Sequence, residues 1–222
     1  METSLATATS NIDSLLDGLK VTISLTVLSI AAGSILGAVI ALLSLMTSAF
    51  RYLAYAYIEL FLSVPALVLL IWLYYVLPFV SPALMLPGFA VSVLGLSLSL
   101  SAFVAEIIRA GIATVSKGQL EAALILGVPR IVAWRRIVFP QALRTMWPAL
   151  FGQFITTYKF STLASVVAVG ELLHTGELVI AQTYQPIEVY SVIALFFIVT
   201  IIPLNLLSRS LTRPSSGGVI SL

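Results

Sequence analysis

The chain has 222 residues, enough for one compact domain, with 60% hydrophobic and 9% charged residues, a net charge of +2 and a mean hydropathy of +1.12. Long apolar runs at so low a charge density exclude an ordinary soluble fold and indicate an integral membrane protein. With no cysteine and the single His174, the chain has no disulfide framework, thiolate metal site or catalytic thiol, and little from which to build a zinc site or a Ser-His-Asp triad. The small net charge gives no reason to expect nucleic acid as a partner.

A bilayer core of about 30 Å takes roughly 20 mostly apolar residues per helix, and five stretches meet that need: 19–46, 52–77, 88–108, 145–169 and 187–207. None alternates polar and apolar residues as barrel strands do. The expected fold is all-α, with five transmembrane helices. The expected organisation is an outer N-terminal segment over 1–17, a membrane domain over 18–213 and a flexible cytoplasmic tail over 214–222. The first 17 residues carry Glu2, Asp13 and Asp17 but no Lys or Arg, so they lack the basic start of a signal peptide and are expected to remain. Nine of the 11 basic residues fall on one side: Arg51 after the first span, Arg109, Lys117, Arg130, Arg135, Arg136 and Arg144 between the third and fourth, Arg209 and Arg213 after the fifth. The positive-inside rule makes that side the cytoplasm and sets the N-terminus outside. Glu171, Glu177 and Glu188 join the early acids on the outer side.

Within the first span, Ser29, Gly33, Gly37 and Ala41 recur every four residues, a stripe that lets another helix approach closely in lipid. In the second, Pro65 is expected to kink the helix and free a carbonyl. The connection over 109–144 reads as two short helices. Leu120, Ala123 and Leu124 form a small apolar face, Gly127 turns past a helix end, Pro129 starts the next helix, and Pro140 breaks into the fourth span. Spacing alone leaves two readings of this segment open, a docking knob or a loop lying flat on anionic lipid.

An ionisable residue in a span needs a partner, water or a purpose, which singles out Glu59 and Lys159. They pair with each other or a nearby basic group, or Glu59, Ser63, Pro65, Lys159, Ser161 and Thr162 line a translocation path; alternatively Ser161 and Thr162 bond their own helix. On the outer side, Gly170-Glu171-Leu172-Leu173 opens a short helix and loop, where His174 reads as an exposed loop residue. Trp72, Tyr74, Tyr75, Trp147 and Tyr184 read as interfacial anchors.

Lys117-Gly118-Gln119-Leu120-Glu121-Ala122-Ala123, then Gly127, then Ile137-Val138-Phe139-Pro140-Gln141-Ala142 resembles the EAA loop of membrane permease subunits of ATP-binding cassette importers, in the form found in the polar amino acid family. Leu15-Leu16-Asp17-Gly18-Leu19, Tyr57-Ile58-Glu59-Leu60-Phe61, Ala105-Glu106-Ile107-Ile108-Arg109-Ala110-Gly111-Ile112 and Gly152-Gln153-Phe154-Ile155 resemble that family in the same order, so the likeness covers about 15–214. The resemblance implies a type I importer permease fold in the bacterial inner membrane. It also implies a coupling loop over about 112–142, with Gly118, Glu121, Ala122, Ala123, Gly127 and Pro140 meeting a separate ATPase.

The implied partners are two ATPase subunits, a second permease that is identical or paralogous, a periplasmic solute-binding protein, and membrane lipid. ATP and Mg belong to the ATPase, and no cofactor is expected on this chain. The lysines agree: Lys20, Lys117 and Lys159 are not followed by Ser or Thr, so no P-loop is present. Two departures touch the solute path. Leu62-Ser63-Val64-Pro65 stands where many members have Arg-Gly-Thr-Pro, and Phe160 follows Lys159 where many have Asp, which suits an anionic or neutral solute better than a cationic one. The alternative from another class is an ion-coupled carrier or channel subunit using Glu59 and Lys159 as a charge relay.

Overall fold

The computed structural model describes residues 11–211, with side chains through Ser208; the expectations for Glu2, the outermost N-terminal segment, the side chains of Arg209 and Arg213 and the tail over 214–222 lie outside the described residues. The described residues form helices α1 (Ile12–Ser44), α2 (Ser48–Ser63), α3 (Ala66–Val80), α4 (Gly88–Ala113), α5 (Lys117–Ile125), α6 (Arg130–Val167), α7 (Leu172–Thr183) and α8 (Pro186–Leu211), and no strand. Three stretches, Ile12–Ser44, Gly88–Ala113 and Pro186–Ser208, are long and apolar enough to cross a bilayer as single helices. Up to two further crossings come as bent pairs, α2 with α3 at 99° and α6 with α7 at 48°.

The expected helix over 52–77 is therefore two helices rather than one kinked helix. Pro65 has no N–H to give to the α2 ladder, and the residue before a proline is pushed out of the helical region. Val64 is accordingly extended at ψ 121° and donates the last bond of α2 to the Leu60 carbonyl at 3.2 Å. The ladder restarts where the Leu69 N–H meets the Pro65 carbonyl at 3.0 Å.

Pro140 behaves differently from expectation. It does not break the chain, because the π-helical turn Trp134–Val138 precedes it and Arg130–Ala133 runs through it into Phe139–Phe160. In that turn the Phe139 N–H reaches back to the Trp134 carbonyl. A widened turn spares the helix the carbonyl clash that a proline otherwise imposes. Trp72–Val76 does the same ahead of Pro78.

The stripe on α1 meets α4 of the same chain. A Cβ on Gly33 would lie 3.0 Å from the Ser97 carbonyl, and one on Gly37 would lie 2.6 Å from both the Ser101 carbonyl and Val104 Cβ. Ser97 Oγ donates to the Ser29 carbonyl at 3.4 Å. Positions 29, 33 and 37 thus meet 97, 97–100 and 101–104 in ascending order, so α1 and α4 run in the same direction. α6 runs against α4: Gly111 packs on Met146 near one end and Gly88 on Val167 near the other. α8 runs against α6 and α7, with Tyr158 and Thr200 hydroxyls 2.9 Å apart and Gly176 against Val189 and Ile193.

Three apolar clusters result. Ile40, Ala41, Ala54, Ile58 and Ala105 join α1, α2 and α4 at the end that carries Arg51 and Arg109. Leu25, Leu70, Leu96, Ala164, Val167 and Val169 sit nearer the opposite end. Leu15, Leu172, Val179, Val189 and Ile193 weld α1, α7 and α8 beyond it.

Candidate functional site

The connection over 114–130 is a rigid projection. α5 ends in a Schellman motif: Gly127 takes φ +77°, its N–H bonds the Leu124 carbonyl at 3.0 Å, and the Val128 N–H bonds the Ala123 carbonyl at 3.0 Å. Only glycine adopts that backbone without strain. Pro129 then opens the next turn, its carbonyl accepting from Val132 at 2.9 Å and Ala133 at 3.0 Å. Gln141 Nε2 donates to Gln119 Oε1 at 2.6 Å, tying α6 back to α5.

What this frame presents is apolar. Ile125, Leu126 and Ile131 are 86%, 82% and 79% exposed. Gly118, Glu121, Ala122 and Gly127 are exposed beside them, as is Pro140 on the following helix, whereas Ala123 is buried. The apolar face expected from Leu120, Ala123 and Leu124 is only partly inward, since Leu124 is exposed. A Cβ on Gly127 would meet nothing within 4 Å, so only its backbone angle constrains the residue within this chain.

The break between α2 and α3 opens a second feature, a cavity of about 360 Å³ lined by Phe61, Pro65, Ser99, Phe103, Phe160 and Leu163 among others. Of the expected path residues, Pro65 reaches this cavity and Glu59, Ser63, Lys159, Ser161 and Thr162 do not. Glu59, Ser63 and Lys159 are exposed, and no ion pair joins Glu59 to Lys159. The Ser161 hydroxyl donates to the Tyr158 carbonyl at 2.7 Å and Thr162 to the Lys159 carbonyl at 2.9 Å; both bond their own helix. Ser99, which sequence reasoning missed, supplies the one hydroxyl named in the lining. Serines spaced along α4 at 92, 97, 99 and 101 carry no signal that separates it from its neighbours.

At the connection after α6, Glu171 is fully buried and caps α7: its carboxylate accepts the Leu173 N–H at 2.9 Å and the His174 N–H at 2.8 Å. It stands at the junction of the bent α6–α7 pair. His174 is not a loop residue; it stands in the first turn of α7, half-buried, 3.7 Å from Glu177. Among the described residues no cluster of His, Asp and Glu could hold a metal ion.

Comparison with known proteins gives consistent matches. The pattern of the family described as "Binding-protein-dependent transport system inner membrane component" matches residues 29–215. The probable glutamine ABC transporter permease protein GlnM of Bacillus subtilis (strain 168) is 35% identical over 197 residues, covering 88% of this chain and 90% of its own. The glutamine transport system permease protein GlnP of Escherichia coli (strain K12) is 31% identical over 204 residues, covering 90% and 91%. A crystal structure of an amino acid ABC transporter with histidines superposes with a TM-score of 0.86 at 32% identity, covering 93% of this chain and 96% of that one.

Proposed function

Because the chain belongs to the family of binding-protein-dependent transport system inner membrane components, and is thus a transport subunit rather than an enzyme, we propose that it is the permease of an ATP-binding cassette importer for a polar amino acid or related small solute. The observation that carries the coupling part is the exposed apolar cap of Ile125, Leu126 and Ile131, held by a Schellman-capped helix at the basic end. Exposed apolar groups on a fixed frame are a docking surface. The natural occupant is the groove of a separate ATPase, with Gly118, Glu121, Ala122 and Gly127 at the contact and Pro140 setting the turn that leads into α6.

Five crossings are supported by the packing directions, and the basic residues Arg51 and Arg109 at one end support setting that end in the cytoplasm, with the N-terminus periplasmic and the C-terminus cytoplasmic in the inner membrane. Since α1 and α4 run parallel, the bent pair of α2 and α3 must bring the chain back between them; α6 then returns and α8 crosses again. A reporter fused at Ser81 is expected to lie outside the cytoplasm. The cavity at the Pro65 break gives half of a path whose remainder comes from a second permease, identical or paralogous. A solute-binding protein delivers the solute at the outer mouth, and two ATPase subunits bind ATP and Mg. GlnM and GlnP bear the name of glutamine, a neutral solute, as the missing acid beside Lys159 would favour.

Radiolabelled L-glutamine uptake, in cells that depend on this chain, should persist when the proton gradient is dissipated at constant ATP. Uptake that collapsed with the gradient would favour the ion-coupled alternative.

A further inference from the structure

The segment 168–171 joins two of the apolar clusters, the one containing Val167 and Val169 and the one containing Leu172. The chain bends by 48° there, and Ala168 sits at φ 54°, a left-handed conformation unfavourable for a residue with a side chain. A strained joint keeps its angle only where its surroundings over-determine it. Part of that comes from the helix end itself, where the Ala168 N–H bonds the Ser165 carbonyl at 3.0 Å and the Val169 N–H bonds the Ala164 carbonyl at 3.2 Å; the turn beyond it is tied by Glu171.

Besides accepting from two α7 N–H groups, its Oε2 lies 3.5 Å from Thr22 Oγ1 on α1. Thr22 Oγ1 in turn accepts the Leu172 N–H at 3.0 Å and donates to the Gly18 carbonyl at 3.1 Å. Gly18 permits this approach, since a Cβ there would lie 2.7 Å from Thr175 Oγ1. Serine, threonine, aspartate and asparagine are the usual residues at a helix start. A glutamate is longer than capping requires, and the extra length reaches the neighbouring helix.

We propose that Glu171 is a positioning residue of the outer mouth: its carboxylate, by accepting two N–H bonds from α7 while lying against Thr22 of α1, locks the joint at 168–171, and withdrawing one of those acceptors lets α7 swing against α1. What the swing would control, access of solute from the binding protein, rests on the import reading; the lock itself does not. The other charged groups on the elements around it are Asp13, Asp17 and Lys20 on α1, with Lys20 bonded to Asp17 at 2.7 Å, His174 and Glu177 on α7, and Glu188 on α8.

The chain has no cysteine, so Ser24→Cys on α1 and Leu178→Cys on α7, both exposed, take spin labels without background. The full chain is reconstituted in phosphatidylethanolamine–phosphatidylglycerol vesicles without solute. The wild-type background should give one narrow distance. Glu171→Gln should be about twofold broader, Glu171→Asp, which can cap α7 but is too short to reach Thr22, should also be broader than wild type, and His174→Asn should stay as narrow as wild type. A Gln variant as narrow as wild type overturns the lock. Either result leaves the import reading standing, which is tested by partner purification instead.

Discussion

Gly37→Leu should weaken the packing of α1 on α4 and lower the melting midpoint of the chain by about 6–12 °C. A Cβ at this position already lies 2.6 Å from the Ser101 carbonyl and from Val104 Cβ, and backbone cannot swing aside as the end of a side chain can. Overpacking a filled interior costs typically about 1–3 kcal/mol, and the upper end applies where a whole isobutyl group must be admitted between two helix backbones. In a chain of this length about 3 kcal/mol lowers the melting midpoint by about 6–12 °C. The measurement is thermal unfolding of the detergent-solubilised protein followed by size-exclusion. Gly152→Ala is the control, since a Cβ there meets nothing within 4 Å, and it should melt as wild type or higher. Equal losses in both would mean that α1 and α4 do not pack through the stripe.

Gly127→Asp should abolish ATP-driven uptake, by at least about tenfold, while the protein stays in the membrane. The substitution costs the chain little by itself: Asp is one of the residues that tolerate a left-handed backbone, and the strain is about 1–2 kcal/mol. There is also room for the side chain, because no atom lies within 4 Å of the added Cβ. A large functional loss therefore cannot come from within this chain and must come from whatever covers the apolar cap of Ile125, Leu126 and Ile131. Glu121→Lys, at an exposed position on the same helix, should act in the same direction by reversing a charge at the contact. Uptake and membrane content are measured together. Wild-type uptake in both variants would remove the coupling role from α5.

The apolar stretches, the small-residue stripe and the turn at Gly127 were legible in the sequence because each depends on residues close together in the chain. The stripe predicted a close helix neighbour, and α4 is that neighbour. The prolines were legible only as disturbances. Pro65 gives a 99° corner, whereas Pro78 and Pro140 are absorbed by π-helical turns in Trp72–Val76 and Trp134–Val138. Both absorbed prolines follow the spacing Trp-x-x-x-Val-x-Pro, and Pro65 does not, but a single chain offers no ground for weighing that pattern in advance. Glu171 read only as one of the acids on the outer side, which the span order and the basic residues set. Its burial depends on Thr22, about 150 positions away, and no local pattern carries that distance. The pairing of Glu59 with Lys159 failed for the same reason, since residues at similar depth need not face each other. The cavity at the Pro65 corner needs Ser99 and Phe160 from two other helices, so the sequence could offer Pro65 and little more.

The central claim is that this chain docks on a separate ATP-hydrolysing subunit through α5. It is tested most directly by purifying the complex that the full chain draws from the membrane in mild detergent, identifying its subunits by mass, and measuring ATP hydrolysis with and without amino-acid-loaded binding proteins. The expected result is co-purification of a P-loop ATPase, a crosslink to it from Ile125→Cys, and a hydrolysis rate that rises with a loaded binding protein. A chain that comes alone, with no ATPase captured even by the crosslink at 125, would contradict it.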